Sequence, residues 1–232
     1  MTTAEMEAKF KALENQVRSQ EIRLRELEDI EAINRLQRAY GYYLEHWMLQ
    51  EIIDLFSDGP DVALTLAAGT YLGKSGVKRY FEHTKPTSEF LHQVMQLSGI
   101  VDVSPDGKTA KGRWYGFGAI AMPVDIGVKQ SFMSGIYTCE YVKEDGVWKF
   151  KKLQFAQFYN ATPAEGWVKP ERLAVVDIRQ PSNLLEADIP RAYNPRYPSG
   201  YIIPFHFIHP VTRKRTSEDE RNSSLENKSS KR

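Results

Sequence analysis

Two long β-hairpins in the middle of the chain constrain its fold more than any other feature of the sequence. Alternating apolar and polar side chains flank Pro105-Asp106-Gly107 and again Glu144-Asp145-Gly146. Asp-Gly between alternating segments is typical of hairpin turns, because glycine adopts positive φ angles without a steric cost. The sequence therefore predicts four consecutive antiparallel strands. They cover residues 92–103, 109–121, 130–142 and 147–158.

Two helical patterns precede the hairpins. Residues 1–28 form a predicted N-terminal helical arm, in which apolar residues recur at alternating spacings of three and four, as in a coiled coil. The pattern covers fewer than four heptads, so it fits equally a helix that lies across its own domain and one that lies across a neighbouring subunit. The residues of this stripe are Phe10, Leu13, Val17, Leu24 and Leu27, with Gln20 in its one polar position.

A second helix is predicted to begin at Asp29, an acidic residue of the kind that caps helix N-termini. A shorter helix over residues 48–56 ends before Gly59-Pro60, a pair that cannot continue it. Residues 62–71 then fit a strand pair or a bent strand, and residues 74–83 a short helix. The apolar face of the second helix contains Ile30, Ile33, Leu36, Tyr40, Tyr43 and Trp47.

The C-terminal part of the chain divides into two segments beyond a domain at residues 29–159. Residues 160–211 are rich in proline and aromatic residues, which predicts a segment that wraps over the domain or a partner subunit. Residues 212–232 carry seven Lys or Arg against four Asp or Glu and almost nothing apolar, which predicts a disordered tail. Removal of the tail is expected to leave the fold and oligomer intact, whereas removal of residues 1–27 is expected to weaken association.

Composition excludes several classes of protein. The chain has 31 Lys and Arg against 30 Asp and Glu, without the basic excess of a nucleic-acid-binding face. No apolar segment approaches the roughly 20 residues of a membrane helix, and the charged N-terminus lacks a signal-peptide pattern, so a soluble cytoplasmic protein is predicted. Cys139 is the only cysteine, so no internal disulfide can form.

Several catalytic motifs are absent from the sequence. It contains no glycine-rich phosphate loop, no Gly-x-Ser-x-Gly segment and no closely spaced histidine pair on a predicted helix. His206 and His209 lie in a proline-rich segment with no nearby carboxylate, which disfavours a metal site there. Hydride transfer, phosphoryl transfer and serine hydrolysis are therefore disfavoured, and neither a cofactor nor a metal is predicted. The reaction class that remains is proton transfer in a dry aromatic cavity, which requires only a base, an acid and a correctly positioned substrate.

His92 is the histidine best placed to act as that base, because it opens a long strand. A structural histidine, hydrogen-bonded within the sheet, is the alternative. Its orientation depends on the strand register. A two-residue turn at Asp106-Gly107 pairs Gly99 with Trp114 and leaves His92 on the face opposite the apolar one, unless a bulge at Gly99 shifts the strand.

Aromatic residues at helical spacing accompany this base. Tyr40, Tyr43 and Trp47 are typical both of a core and of a pocket whose tyrosine hydroxyls pair with an aromatic substrate. Glu45 is a second candidate base, but the helical wheel places it away from Tyr43 unless the helix breaks at Glu45-His46. Two further residues, Trp114 and Gln157, are predicted to contact the substrate, the latter by orienting a carbonyl or hydroxyl.

The order of helices, strand, short helix and two hairpins resembles the SnoaL-like branch of the nuclear transport factor two-like superfamily. This resemblance implies an α+β cone, in which a strongly bent, mostly antiparallel sheet packs on N-terminal helices. The local segments that carry the resemblance, besides Trp47 and His92, are Asp29-Ile30-Glu31-Ala32-Ile33, Leu55-Phe56-Ser57-Asp58, Gly69-Thr70-Tyr71-Leu72-Gly73, Asp106-Gly107-Lys108-Thr109-Ala110 and Asp145-Gly146-Val147-Trp148-Lys149.

Within that branch the chain resembles the cofactor-independent, scytalone dehydratase-like enzymes, and its long C-terminal segment resembles lyases that release formaldehyde from lignin-derived diarylpropanes. The resemblance implies catalytic roles for Tyr43, Glu45 and His92. The second strand histidine of the family has no counterpart, because residues 116–119 contain no titratable side chain.

These observations predict a lyase of aromatic compound catabolism, in which His92, assisted by Tyr43 or Glu45, takes a proton from a small aromatic or polyketide-like substrate. Water or formaldehyde is then eliminated. An isomerase or cyclase would use the same residues. A non-catalytic binding or oligomer-assembly subunit is the alternative. In either case a homo-oligomer, dimer or trimer, is expected, with no nucleic-acid or membrane partner.

Overall fold

The computed structural model describes residues 2–83, 90–123, 127–164, 185–190, 204–206 and 215. Its helices are α1 (Thr3–Glu45), α2 (Leu49–Asp54) and α3 (Gly73–His83). Its strands are β1 (Ala63–Thr65), β2 (Gly69–Leu72), β3 (Leu91–Val103), β4 (Thr109–Pro123), β5 (Val128–Glu144), β6 (Val147–Ala161) and β7 (Ile189–Pro190).

The strands form one bent, mixed sheet in the order β3-β4-β5-β6-β1-β2-β7. Neighbouring strands are antiparallel except β1 and β6, which are parallel. Both predicted hairpins are present, as is the strand pair predicted over residues 62–71. With the helices that precede the sheet in the chain, this arrangement confirms the predicted α+β cone fold.

Local turn chemistry accounts for both hairpins. Gly107 and Gly146 have φ angles of +66° and +80°, and Asp145 has φ of +49°. Positive φ at both Asp145 and Gly146 is the signature of a type I′ turn, whose twist matches that of the flanking strands. At the first turn, Asp106 accepts a hydrogen bond from the backbone N–H of Lys108 at 3.0 Å. Interactions between near neighbours in the sequence therefore suffice to define the two turns.

Helix α1 is continuous from the arm into the domain, so the prediction that a second helix begins at Asp29 is wrong. The helix begins instead at Thr3, and the side chain of the N-cap residue Thr2 accepts a hydrogen bond from the backbone N–H of Glu5 in a capping box. Asp29 lies in the middle of the helix and is buried, with Lys143 Nζ at 2.6 Å and Trp148 Nε1 at 2.8 Å from its Oδ1. An acid that resembles a helix cap in sequence is here the anchor of the β5–β6 hairpin.

Asp29→Ala is expected to lower the free energy of unfolding by about 2 kcal/mol, because it leaves a buried indole N–H and an ammonium group without their acceptor. Urea denaturation measures the change. Glu26→Ala, at an exposed position three residues earlier on the same helix, is the matched control and should shift the stability by less than about 0.5 kcal/mol. Equal stabilities of the two variants would contradict the anchoring role of Asp29.

Beyond Asp29, the inner face of α1 packs on the sheet. Its buried apolar residues are Ile33, Leu36, Tyr40 and Leu44. Residues 2–28, by contrast, are all exposed. Of the helices in the described part of the chain, none combines the length and apolarity needed to cross a membrane.

Short described parts of the proline-rich segment lie on the domain. Strand β7 pairs with β2, and the preceding Asp188 accepts a hydrogen bond from the Leu72 N–H at 2.9 Å and forms an ion pair with Arg79 at 2.7 Å. Further along, the Arg113 guanidinium lies 4.7 Å from the centre of the Phe205 ring. Most of the segment predicted to wrap, residues 160–211, and all of the predicted tail except Arg215 lie outside the described residues.

Candidate functional site

A bulge in β3 decides which way His92 points. The predicted register holds beside the turn, where Val103 pairs with Ala110, and it then shifts between Leu97 and Ile100. Successive residues of a strand point to opposite faces, so this shift reverses the face of every residue before the bulge. His92 therefore lies on the inner face, toward α1, and not on the outer face that the unshifted register assigns to it.

The indole of Trp114 occupies the bulge. A Cβ atom on Gly99 would lie 2.1 Å from Cζ3 of this ring, so only glycine leaves room for it. Ser98 takes a φ angle of +50°, a left-handed conformation that is uncommon outside glycine. The predicted pairing of Gly99 with Trp114 in a regular ladder is wrong for this reason, and the alternative, a bulge at Gly99, is confirmed.

His92 faces a cavity of about 370 Å³ that is lined by residues of helices α1 and α3 and strands β3–β6. This volume is within the range of small-molecule sites. Tyr40 and Trp47, whose spacing is typical both of a core and of a pocket, line the cavity. Its aromatic lining consists of Tyr40, Trp47, Tyr80, Phe81, Phe90, Tyr137 and Phe155.

Two aromatic rings enclose the imidazole of His92. Trp47 meets it edge-on with ring centres 5.8 Å apart, and Phe90 stacks on it at 6.1 Å. The Nδ1 atom is buried and has no hydrogen-bond partner among the described residues. Burial penalises the charged form and lowers the pKa of His92 to about 4. The imidazole is consequently neutral at neutral pH and able to accept a proton.

The lowered pKa of His92 predicts that the fold loses stability on acidification. The unfolded chain has the ordinary histidine pKa of 6.5, so between pH 6.5 and about 4 it binds more protons than the native state does. The free energy of unfolding therefore falls as the pH falls through this window. Urea denaturation at neutral pH and at about pH 5 should show a larger loss in the wild type than in His92→Gln. Equal losses in both proteins would contradict the buried, neutral imidazole.

Three tyrosines supply hydroxyl groups to the cavity. Burial raises the pKa of Tyr40, Tyr80 and Tyr137, so their phenols stay protonated at neutral pH. The Gln96 side chain hydrogen-bonds Tyr137 and accepts a hydrogen bond from Gln37 Nε2 at 2.7 Å. A protonated hydroxyl held by buried amides is suited to donate a proton or a hydrogen bond to a bound molecule.

Trp114, predicted to contact the substrate, lies behind the cavity and does not line it. Its Nε1 donates to the Tyr141 hydroxyl at 3.0 Å, which in turn donates to Gln37 Oε1 at 2.7 Å. Cys139 belongs to the same network, and burial raises the pKa of its thiol to about 12, so it holds no thiolate at neutral pH. In the described part of the chain, no group of three or more His, Cys, Asp or Glu could hold a metal ion.

Near the end of α1, three predicted site residues lie in different surroundings, and only Trp47 lines the cavity. The helix ends at Glu45, and Trp47 follows with φ of +51° and donates its Nε1 to the Phe81 carbonyl at 3.1 Å. This break turns Trp47 into the cavity. Glu45 stays outside, in a groove beside β3, where it accepts a hydrogen bond from Gln93 Nε2 at 3.2 Å. Tyr43 packs against the core without lining the cavity.

Strands β5 and β6 form a polar wall of the cavity. It consists of Lys129 and Ser131 on β5 and of Gln157 and Asn160 on β6, of which only Gln157 was predicted from the sequence. Lys129 is the one charged side chain among the described lining residues once His92 is neutral. The alternation of β5 could have predicted that Lys129 and Ser131 line the cavity, since both lie on the same face of the strand as the buried Tyr137.

The SnoaL-like domain model matches residues 25–154, more than half of the chain. The chain belongs to the SnoaL-like family. The matched region contains His92 and most of the cavity walls, and it confirms the similarity to the SnoaL-like branch of the nuclear transport factor two-like superfamily.

Two solved structures are similar to this SnoaL-like domain. A protein provisionally assigned as a scytalone dehydratase from Novosphingobium aromaticivorans matches with a TM-score of 0.50 and 22% identity, over 60% of this chain and 89% of that one. The type 3 hexachlorocyclohexane dehydrochlorinase LinA from Novosphingobium barchaimii matches with a TM-score of 0.47 and 23% identity, over 61% and 94%. At these identities the similarity concerns the fold alone, and the chemistry must be argued from the residues of this chain.

Proposed function

We propose that this SnoaL-like protein is a cofactor-independent lyase that eliminates water or formaldehyde from a small aromatic or polyketide-like substrate. The observation that carries the proposal is the placement of His92 in an aromatic cavity, as a neutral imidazole whose Nδ1 atom has no hydrogen-bond partner in the described part of the chain. Proton abstraction requires a base that is unprotonated before the reaction and lies within reach of the substrate. Among the described lining residues His92 meets both requirements.

The protonated tyrosines complete an acid–base pair with His92. In a dehydration, the imidazole takes a proton from carbon, the C–O bond breaks as the double bond forms, and a phenol such as Tyr40 or Tyr137 protonates the leaving hydroxyl to give water. The proton on the imidazolium then returns to the phenolate. In a deformylation, His92 takes the proton of a primary hydroxyl, the C–C bond breaks to release formaldehyde, and the phenol protonates the carbon left behind.

The cavity walls indicate the kind of substrate. Trp47, Phe81 and the other rings offer apolar and edge-to-face contacts to an aromatic group. The polar wall with Lys129 lies on the β5–β6 side, whereas His92 lies on β3. A substrate that spans the cavity therefore places an aromatic ring among the rings of the protein, hydroxyl or acidic substituents toward the polar wall, and its reacting carbon beside the imidazole. The catalytic roles of Tyr43 and Glu45 stay predictions, and the side chains of these two residues lie outside the cavity.

A substrate panel tests the proposal. Aryl β-hydroxy ketones report dehydration, and aryl-substituted 1,3-propanediols report formaldehyde release. Each is incubated with the full chain in D₂O and followed by proton NMR, which detects the alkene, formaldehyde and deuterium incorporated at the reacting carbon. Turnover of at least one class is expected. Deuterium exchange without elimination would indicate an isomerase or cyclase and would overturn the lyase assignment.

A non-catalytic binding protein is the second candidate, and one observation favours it. No second histidine occurs in residues 116–119, and the Glu45 carboxylate contacts Gln93 and not His92. A histidine without an acidic partner is also what a binding pocket contains. Saturable binding of panel compounds, seen as a change in the intrinsic tryptophan fluorescence to which Trp47 contributes, without either elimination or exchange would support this candidate.

A further inference from the structure

The N-terminal arm of α1, residues 2–28, has no role in the proposed function. All of its residues are exposed in the single chain, although the helix carries a row of apolar side chains. Five residues of this row are between 46% and 65% exposed. A helix with such a stripe requires a surface that covers it. The five are Phe10, Leu13, Val17, Leu24 and Leu27.

The stripe follows the heptad positions of a coiled coil. Phe10, Val17 and Leu24 occupy successive a positions, and the d positions hold Met6, Leu13, Gln20 and Leu27. Every core position from Met6 to Leu27 is therefore apolar except Gln20. A single polar residue in such a seam is a known means of specifying register at some cost in stability. The arm thus has the pattern of a helix that pairs with another helix of the same kind.

The charged residues that flank the stripe specify the orientation of the partner helix. All four e positions are acidic, and the g positions hold Lys9, Gln16 and Arg23. Parallel helices bring each g residue near the e residue of the next heptad on the partner, so Lys9 meets Glu14 and Arg23 meets Glu28. Antiparallel helices bring e against e and g against g, which juxtaposes like charges. The e positions are Glu7, Glu14, Glu21 and Glu28.

We propose that the arm forms a parallel, in-register coiled coil with the arm of a second copy of this chain. In the parallel orientation the acidic e positions of one arm lie near the basic g positions of the other, whereas in the antiparallel orientation like charges would repel each other. β-Branched Val17 at an a position and leucine at the d positions 13 and 27 are typical of a two-stranded coil. Because the arms are parallel, both cone domains lie at the same end of the coil, about 40 Å from its N-terminus at 1.5 Å per residue.

Disruption of the stripe tests the association. Leu13→Ser/Leu24→Ser in the full chain is expected to raise the dissociation constant of the dimer at least about tenfold in sedimentation velocity. Ile22→Ser is the matched control, because Ile22 is 61% exposed but occupies an f position away from the seam. The control should associate like the wild type. A monomeric wild type, unchanged association of the double variant, or equal weakening by Ile22→Ser would overturn the proposal.

Cysteine cross-linking tests the orientation. Met6→Cys and Leu27→Cys place a thiol at a d position near either end of the seam, and the native Cys139 is only 1% exposed and does not interfere. In a parallel, in-register coil each variant lies opposite its own copy, so mild oxidation gives a disulfide-linked dimer of either variant. Antiparallel arms would hold identical cysteines about 30 Å apart. Disulfide formation only in a mixture of the two variants would overturn the parallel assignment.

Discussion

His92→Gln is expected to lower the turnover number by about 10²–10⁴-fold with any substrate that the panel identifies, because the variant has no base in the cavity. Glutamine preserves much of the volume and polarity of the side chain, so the enclosing contacts with Trp47 and Phe90 are kept. His83→Gln, at an exposed position on α3, is the matched control and should retain full turnover. Steady-state kinetics of the two variants, with circular dichroism to verify their folds, measure the difference.

The pH profile adds an independent test of the same residue. With a pKa of about 4, His92 stays unprotonated throughout the neutral range, so its contribution to turnover should be constant there and decline only in acid. A folded His92→Gln variant with wild-type turnover would remove His92 from the mechanism. A profile that declines below about pH 6.5 would instead indicate an imidazole that water reaches freely.

Gly99→Ala is expected to lower the free energy of unfolding by about 3 kcal/mol, because the new methyl group overlaps a ring that cannot move away. The three atoms nearest to the added Cβ, at 2.1–2.4 Å, belong to the six-membered ring of Trp114. Trp114 is 3% exposed and bound to Tyr141, so displacing it also breaks a buried hydrogen bond. Urea denaturation of the variant measures the loss.

A double-mutant cycle distinguishes this clash from a general intolerance of alanine in the strand. Trp114→Phe removes the ring atoms that the methyl group meets, so Gly99→Ala should cost at least about 1 kcal/mol less in the Trp114→Phe background. Additive effects of the two substitutions would show that the bulge does not depend on the indole. Gly146→Ala is the control. No atom lies within 4 Å of its added Cβ, so any stability that this variant loses arises from the positive φ angle alone.

Secondary structure was largely predictable because its causes are local. The two Asp-Gly turns and the apolar periodicities involve residues a few positions apart, and both predicted hairpins are present. Asp29 shows where local reasoning fails. Its acidic side chain precedes an apolar run like a helix cap, but its partners Lys143 and Trp148 come from a hairpin more than 100 residues away.

The site was predictable in part. Tyr40 could be predicted because helical spacing places it on the apolar face of α1, and Gln157 because it interrupts an apolar strand. Trp47 was predicted from the same helical spacing, but it reaches the cavity because the helix ends before it. Lys129 and Tyr137 were missed, since a lysine near a strand end is usually solvated and one tyrosine among alternating residues carries no distinctive signal. The side on which Glu45 lies depends on the geometry of a helix end that the sequence does not specify.

The sequence by itself determined the order and type of the elements, the turns that join them and the candidate base, because these follow from short-range chemistry. Only the tertiary structure decided that His92 faces the cavity. That outcome depends on a register shift of one residue in β3, which reverses the face of the strand on which His92 lies. The shift occurs where Trp114 packs into the space left by Gly99. The fit of an indole against a missing side chain on the next strand is a contact in three dimensions, and no periodicity of either strand encodes it.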